Sequence, residues 1–152
     1  MATFNKILVP TDFSESAFAA LLVAARLARE SEAALSVLTV VPRSALRVAI
    51  KEGILDAGDD DASIRAKVTT DVERRLGEFV TCLGDQAQSV LRHYVFGDPG
   101  REILSFAVEN GIDLVVMGRR GRTLADVILG SVAERVIRHA SCPVLIVKRS
   151  YT

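Results

Sequence analysis

Short apolar runs alternate with helical patterns along the whole chain, and this alternation restricts the fold more than any other feature. The runs are rich in branched residues and predict five strands, at 6–9, 34–41, 89–95, 113–117 and 144–148. Helical patterns lie between them, the first beginning after Ser14 and the last spanning about 131–139. Strands separated by helices predict a parallel sheet with helices on both faces. The strands are continuously apolar, as burial on both faces requires.

The segment 43–62 shows no clear period and is interpreted as a surface excursion within one domain that spans 1–152. A short helix is predicted at 45–52, and a longer helix then ends near Gly84. The aspartate run at 59–61 would suit a metal ion, but acidic residues before a helix start are more typical of a solvated turn. We therefore predict no metal site made by the protein alone.

The order of the strands predicts where a ligand would bind. Right-handed crossovers and one reversal of direction predict the order 3-2-1-4-5, a doubly wound, Rossmann-like α/β sheet. Ligands of such sheets bind outside the carboxyl ends of the strands where the order reverses, here between strands one and four. Strand one ends in Pro10-Thr11-Asp12, strand four ends in Met117-Gly118, and strand two delivers Val40 and Val41 beside them. These residues are predicted to line one crevice.

A glycine-bearing, arginine-rich loop follows strand four and leads into the last helix. Its residues of interest are Gly118, Arg119, Arg120, Gly121 and Arg122, and Gly130-Ser131-Val132 then opens the helix. Glycine lets a phosphate approach the main chain, the N–H groups of a helix start bind anions, and arginines add forked donors. The loop is predicted to hold the phosphates of a nucleotide. The alternative, in which the glycines only end a strand, turn and pack, stays open.

Composition excludes several classes of partner. The net charge is zero, because 19 basic residues balance 19 acidic residues. That balance gives no general attraction to nucleic acid or to an anionic membrane, and neither is predicted as a partner. No apolar run approaches the roughly 20 residues of a membrane span. Cys82 and Cys142 are predicted to be free thiols of a reducing compartment, and the N-terminus lacks a signal-peptide layout, so the protein is predicted to be cytoplasmic.

Four segments of the chain resemble universal stress proteins. They are Lys-Ile-Leu-Val-Pro-Thr-Asp-Phe-Ser at 6–14, Met-Gly-x-x-Gly at 117–121, Gly-Ser-Val-Ala-Glu-Arg-Val at 130–136 and Cys-Pro-Val-Leu-Ile-Val-Lys at 142–148. The resemblance covers essentially the whole chain apart from 43–62. It implies a small α/β fold like that of the adenine nucleotide alpha hydrolases, usually as a homodimer.

The resemblance is to the ATP-binding branch of the family. In that branch the main chain of the Gly-x-x-Gly loop and of the Gly-Ser pair holds phosphates, and the adenosine lies near the aspartate of strand one and the end of strand two. The resemblance therefore implies ATP or ADP as ligand, with Mg²⁺ carried by the nucleotide. Here the stretch between Gly121 and Gly130, Arg122 to Leu129, is one residue shorter than usual in that branch. The placement of the phosphate-binding groups relative to one another therefore stays open.

Several candidate side chains have two interpretations. Asp12 would hydrogen-bond the ribose or help hold the Mg²⁺ of the nucleotide, or it would form an Asx turn before the first helix. Ser131 would donate to a phosphate or cap the last helix, and the two roles are compatible. Arg120 and Arg122 are phosphate clamps or a solvated loop face. Met117 lines the adenine pocket or belongs to the core.

The edges of the predicted sheet differ in chemistry. Strand three is interrupted by polar residues such as Arg92 and His93, which blunt an edge. Strand five carries four consecutive apolar residues, Val144 to Val147, and would aggregate if it were left open in water. A homodimer through strand 144–148 is therefore predicted.

Three functions are compatible with these patterns. The first is an adenine-nucleotide-binding regulatory or stress-response module with slow ATP hydrolysis at most. The second is a dimeric stress-response scaffold that does not bind nucleotide, for which the shortened loop is the motive. A dedicated enzyme is the least favoured, because the chain has no Gly-Lys-Ser/Thr P-loop and no acid–base pair that can be placed in the crevice.

Overall fold

The computed structural model describes residues 4–53, 58, 61–119 and 129–148. Its five strands form one sheet in the order β3-β2-β1-β4-β5, and every neighbouring pair is parallel. The strands are β1 (Lys6–Pro10), β2 (Ala34–Val41), β3 (Leu91–Phe96), β4 (Leu114–Gly118) and β5 (Val144–Val147). The predicted sheet order is confirmed, and the reversal between β1 and β4 is present: Ile7 pairs with Leu35 on one side and with Leu114 on the other.

Helices cover both faces of this sheet. They are α1 (Glu15–Ser31), α2 (Arg43–Lys51), α3 (Asp61–Val80), α4 (Pro99–Glu109) and α5 (Ser131–His139), with a 3₁₀ segment at Thr81–Ser89. The predicted caps of α1 and α4 are present, because the side chains of Ser14 and Asp98 accept hydrogen bonds from the main chain of the first turns. Among the described helices, none is long and apolar enough to cross a membrane.

Two details of the helices differ from the sequence prediction. α2 begins at Arg43, two residues earlier than predicted, because Pro42 both ends β2 and occupies the N-cap. The helix expected to end near Gly84 is α3, and it ends at Val80. Gly84 lies inside the following 3₁₀ segment at φ 60°, a conformation that interrupts helical geometry.

The sheet separates two apolar cores. On one face α1 and α3 pack over residues such as Val9, Val37 and Val116, all fully buried. On the other face α4 and α5 pack over residues such as Leu8 and Val115, also fully buried. Burial of these side chains stabilises the fold by about 25 cal/mol per Å² of apolar surface. The carboxyl ends of the strands lie at one edge of this layered structure, and the loops that follow them form its upper rim.

Candidate functional site

A cavity of about 430 Å³ opens where the strand order reverses, at the carboxyl ends of β1, β2 and β4. α1, α4 and α5 form its helical walls. The lining residues that the sequence predicted are Pro10, Thr11, Asp12, Val40, Met117, Gly118, Gly130, Ser131 and Val132. Segments that are far apart in the chain thus meet at one place, as the topology required.

Four predicted residues do not appear in this lining. Arg120, Gly121 and Arg122 lie outside the described residues. Val41 is described, and it packs on the opposite face of the sheet, in the core beneath α1 and α3. Because successive side chains of a strand point to opposite faces, Val40 and Val41 cannot both face the cavity. Only Val40 does so.

The register of β2 also explains why one residue that the sequence analysis did not predict lines the cavity. Leu38 lines the cavity with Val40, two positions along the same strand. Period-two alternation from Val40 would have found it. The other missed residues belong mainly to helix starts and the β2 exit: Ser14, Ala17, Pro42, Pro99, Ile103 and Ala133. The Asp98-Pro99 cap signal placed α4 correctly, but no sequence pattern measures how close its first turn lies to α5.

The turn after β1 holds Asp12 at the rim of the cavity. The N–H of Ser14 donates to Oδ1 of Asp12 at 3.0 Å, and the N–H of Phe13 donates to Oγ1 of Thr11 at 2.9 Å. Phe13 adopts φ 64°, which is unusual for a bulky residue. The Asx turn is therefore present, but it engages one carboxylate oxygen. Asp12 remains exposed, so its second oxygen is available to a ligand hydroxyl.

Packing within the fold requires a glycine at position 118. A Cβ at this position would lie 2.7 Å from the carbonyl carbon of Ser16 and 2.8 Å from its oxygen. These are main-chain atoms in the first turn of α1, so they cannot rotate away. The close approach that requires glycine here is that of α1 to β4.

The ends of the glycine loop meet beside the cavity. The N–H of Arg119 donates to the carbonyl of Val147 at 3.2 Å, so the start of the loop is fixed to β5. The carbonyl of Arg119 accepts from the N–H of Gly130 at 2.8 Å. The first residue after β4 and the residue before α5 are thus hydrogen-bonded to each other, which fixes the start of α5 at the carboxyl edge of β4.

The N-terminus of α5 differs from the sequence prediction in its cap. Gly130 is the N-cap, at φ −63° and ψ 151°, and Ser131 is the first helical residue. Gly130 has no side chain and therefore supplies no side-chain cap to this helix. Among the described residues, the amide groups of Ser131, Val132 and Ala133 are left to meet an anion, and these three residues line the cavity at this point.

The other two helix starts at the cavity are less suited to an anion. α1 carries the Ser14 cap and an acidic Glu15 in its first turn. α4 is capped by the carboxylate of Asp98, and Pro99, its first residue, has no N–H. The side chains of Ser14 and Asp98 already occupy main-chain amides of these two first turns, whereas Gly130 supplies no side-chain cap to α5. The site therefore has one anion-binding end at α5 and a carboxylate, Asp12, at the β1 turn.

Asp12 is the one ionisable side chain in the described lining of the cavity, and His93, Cys82 and Cys142 lie elsewhere. His93 is on β3, where its ring centroid is 4.9 Å from that of Phe106, and desolvation lowers its pKa. Burial raises the pKa of both free thiols, Cys82 and Cys142, so each is protonated near neutral pH. No cluster of three or more histidine, cysteine or acidic side chains that could hold a metal occurs among residues 4–53, 58, 61–119 and 129–148.

Comparison with known proteins agrees with this architecture. The family model described as "Universal stress protein family" matches residues 3–148. The chain belongs to this family. It is 36% identical over 154 residues to the universal stress protein YxiE of Bacillus subtilis, and the match covers 95% of this chain and 99% of that protein.

Solved structures of universal stress proteins share the fold over the whole chain. The structure of MJ0577 matches with a TM-score of 0.78 and 29% identity, over 99% of this chain and 100% of that one. MJ0577 is a universal stress protein of Methanocaldococcus jannaschii. A universal stress protein solved in complex with cAMP matches with a TM-score of 0.65 and 25% identity, over 97% of this chain and 98% of that one.

Proposed function

We propose that this universal stress protein is a cytoplasmic, adenine-nucleotide-binding regulatory module of the stress response that binds ATP or ADP. The observation that carries the proposal is the uncapped N-terminus of α5, which opens into an apolar cavity whose opposite rim carries the free carboxylate oxygen of Asp12. An anion site, an apolar slot and a hydroxyl acceptor are the three parts that recognition of a nucleotide requires.

The charges of the site orient the nucleotide. Its phosphates lie at the first turn of α5, near Gly130 and Ser131, because the side chains of Ser14 and Asp98 already cap the starts of α1 and α4. The ribose lies toward Asp12, whose second oxygen accepts from a hydroxyl. The base lies in the apolar part of the cavity, between Val40 of β2 and Met117 of β4. Arg120, Gly121 and Arg122 complete the phosphate site in this proposal.

The relative solved with cAMP supports an adenine ligand, because it has the same fold over nearly the whole chain. Mg²⁺ enters with the nucleotide, since the described residues supply no metal cluster. Hydrolysis is slow at most in this proposal, because Asp12 is the one ionisable side chain in the described lining and has no partner there to complete an acid–base pair. The protein thus acts through binding, and the nucleotide is a signal rather than a substrate.

Isothermal titration calorimetry with ATP, ADP and AMP, and with adenosine as the ligand without phosphate, tests this proposal directly. We expect ATP and ADP to bind, and adenosine to bind more weakly because it lacks the anion that α5 attracts. Mass spectrometry of small molecules released from the purified protein by denaturation should find the same nucleotides. An absence of heat at millimolar nucleotide, with nothing released, would instead favour a dimeric scaffold that does not bind nucleotide.

Substitution of Gly130 by valine should weaken nucleotide binding without unfolding the protein. The residue is buried and has φ −63° and ψ 151°, which valine adopts without backbone strain, and thermal denaturation of the variant checks that the fold persists. The branched side chain would instead occupy the space in which a phosphate approaches the amides of Ser131 and Val132. We expect the Kd of ATP to rise at least about tenfold, comparable with loss of one charge-assisted hydrogen bond. An unchanged Kd in a folded variant would show that Gly130 only packs.

A further inference from the structure

An ion pair joins the two helix starts that flank the cavity. Oδ2 of Asp98 accepts from the main-chain N–H of Arg101 at 3.1 Å, which caps α4. The same oxygen accepts from the guanidinium of Arg135 at 2.6 Å. Arg135 lies on α5, one turn after Ser131. The cap of one helix is therefore also the anchor of the next.

The first turn of α4 is shaped to admit this arginine. Gly100 is buried, and a Cβ at that position would lie 2.6 Å from Cδ of Arg135. The stem of Arg135 thus lies directly on the main chain of α4, in the space that any other residue at 100 would fill. The contact brings the α5 terminus against the α4 terminus, and Pro99 and Ser131 both line the cavity beside it.

The anchor is itself tied to the sheet. The N–H of Gly97 donates to the carbonyl of Val41 at 3.0 Å, so the residue before Asp98 is fixed to the end of β2. A connection therefore runs from the end of β2 through Asp98 to Arg135 and the start of α5. It sets the distance between the wall formed by β2 and the anion-binding amides of α5.

The ion pair also neutralises a negative charge beside the cavity. Asp98 lies next to Pro99, a lining residue, and an unpaired carboxylate there would repel a phosphate over distances up to the Debye length, about 8–10 Å. Arg135 neutralises it. Both side chains are about half exposed, at 48% and 56%, so the pair contributes little to stability. Its effect is instead on the charge that a phosphate would meet in the cavity.

We propose that Arg135, held by Asp98, is a positioning residue for the phosphate-binding terminus of α5. The inference rests on the proposed function, in which that terminus binds the phosphates of a nucleotide. Arg135 holds the terminus at a fixed distance from β2 and cancels the charge of Asp98. It acts on the phosphate end of the ligand and leaves the base and ribose end unchanged.

Calorimetry with ATP and with adenosine on three variants tests the role. Arg135→Gln should raise the Kd of ATP about tenfold, because Asp98 becomes an unpaired charge, while the Kd of adenosine changes less than about twofold. Asp98→Asn combined with Arg135→Gln should recover part of the loss but not all of it, since asparagine still caps α4 without a charge while the anchor between α4 and α5 stays absent. Arg74→Gln is the matched control: Arg74 is a half-exposed arginine of α3 that pairs with Asp71 at 2.8 Å and with Glu78 at 2.9 Å, and it does not line the cavity.

The outcomes separate this inference from the proposed function. The melting temperature of Arg135→Gln should stay within about 2–4 °C of the wild type, as for a surface pair. If the wild type binds ATP and Arg135→Gln binds it as Arg74→Gln does, the positioning role is overturned and nucleotide binding stands. Equal losses for ATP and adenosine, or additive losses in the double variant, overturn it as well. If the wild type binds no nucleotide, both proposals fall.

Discussion

Gly118→Ala should destabilise the protein by about 2–3 kcal/mol, the cost of overpacking a well-packed interior. The added Cβ would lie 2.7 Å from the carbonyl carbon of Ser16, and main-chain atoms cannot rotate aside. α1 cannot move away cheaply either, because its buried face of small residues, such as Ala17 and Ala20, lies directly against the sheet. Thermal denaturation should show a melting temperature lower by about 4–12 °C for a domain of this size.

Gly77→Ala is the matched control for that experiment. Gly77 lies inside α3, where a Cβ would meet only Nη1 of Arg92 at 3.5 Å, an ordinary contact with a flexible side chain. Alanine has the higher helix propensity, so Gly77→Ala should be neutral or stabilise by up to about 1 kcal/mol. Equal melting temperatures for Gly118→Ala and the wild type would show that α1 and β4 are not as close as the structure describes.

The fold could be predicted from sequence because its determinants are local and repeated. Each strand is a short branched run and each helix carries its own start signal, such as Ser14 before α1 and the Asp98-Pro99 pair before α4. Handedness rules then leave few ways to order the strands. The boundaries that differed by two residues or more are the start of α2, the end of α3 and the start of β3, which was predicted at 89 and begins at Leu91. They lie in or next to segments without a clear period. In those segments, contacts between helices and strands decide where an element begins or ends, and hydrophobic periodicity does not.

The candidate site was predictable in place but not in detail. Topology brings Asp12, Met117 and Ser131 to one crevice, since the carboxyl ends of parallel strands share an edge. The sequence could not reveal that α1 is what requires glycine at 118, because that distance depends on how two elements pack. Nor could it pair Asp98 with Arg135, which are 37 residues apart. Such contacts depend on the distance between two helices, and the hydrophobic pattern of a sequence does not predict that distance.

The two edges of the sheet predict how copies of the chain associate. At the β3 edge, Leu91 is 53% exposed, but the polar Arg92 follows it, and Arg65 lies over the ring of Phe96 at 5.1 Å. At the β5 edge, Leu145 is 38% exposed within a strand that has no polar side chain. Edge strands of this second kind pair readily with another strand. Pairing of β5 with its own copy about a two-fold axis would satisfy the free main-chain groups and close the assembly.

Leu145→Lys should therefore convert a homodimer into a monomer. Sedimentation equilibrium of the wild type should give about twice the 16.4 kDa of one chain. Leu145 is preferred to Ile146 for the test, because Ile146 packs against the core beneath α4 and α5 and a lysine there would disturb the fold as well. Leu91→Lys, at a more exposed leucine of the opposite edge, is the control and should remain dimeric. A wild type that sediments as a monomer at tens of micromolar, or a dimer that only Leu91→Lys disrupts, would contradict pairing through β5.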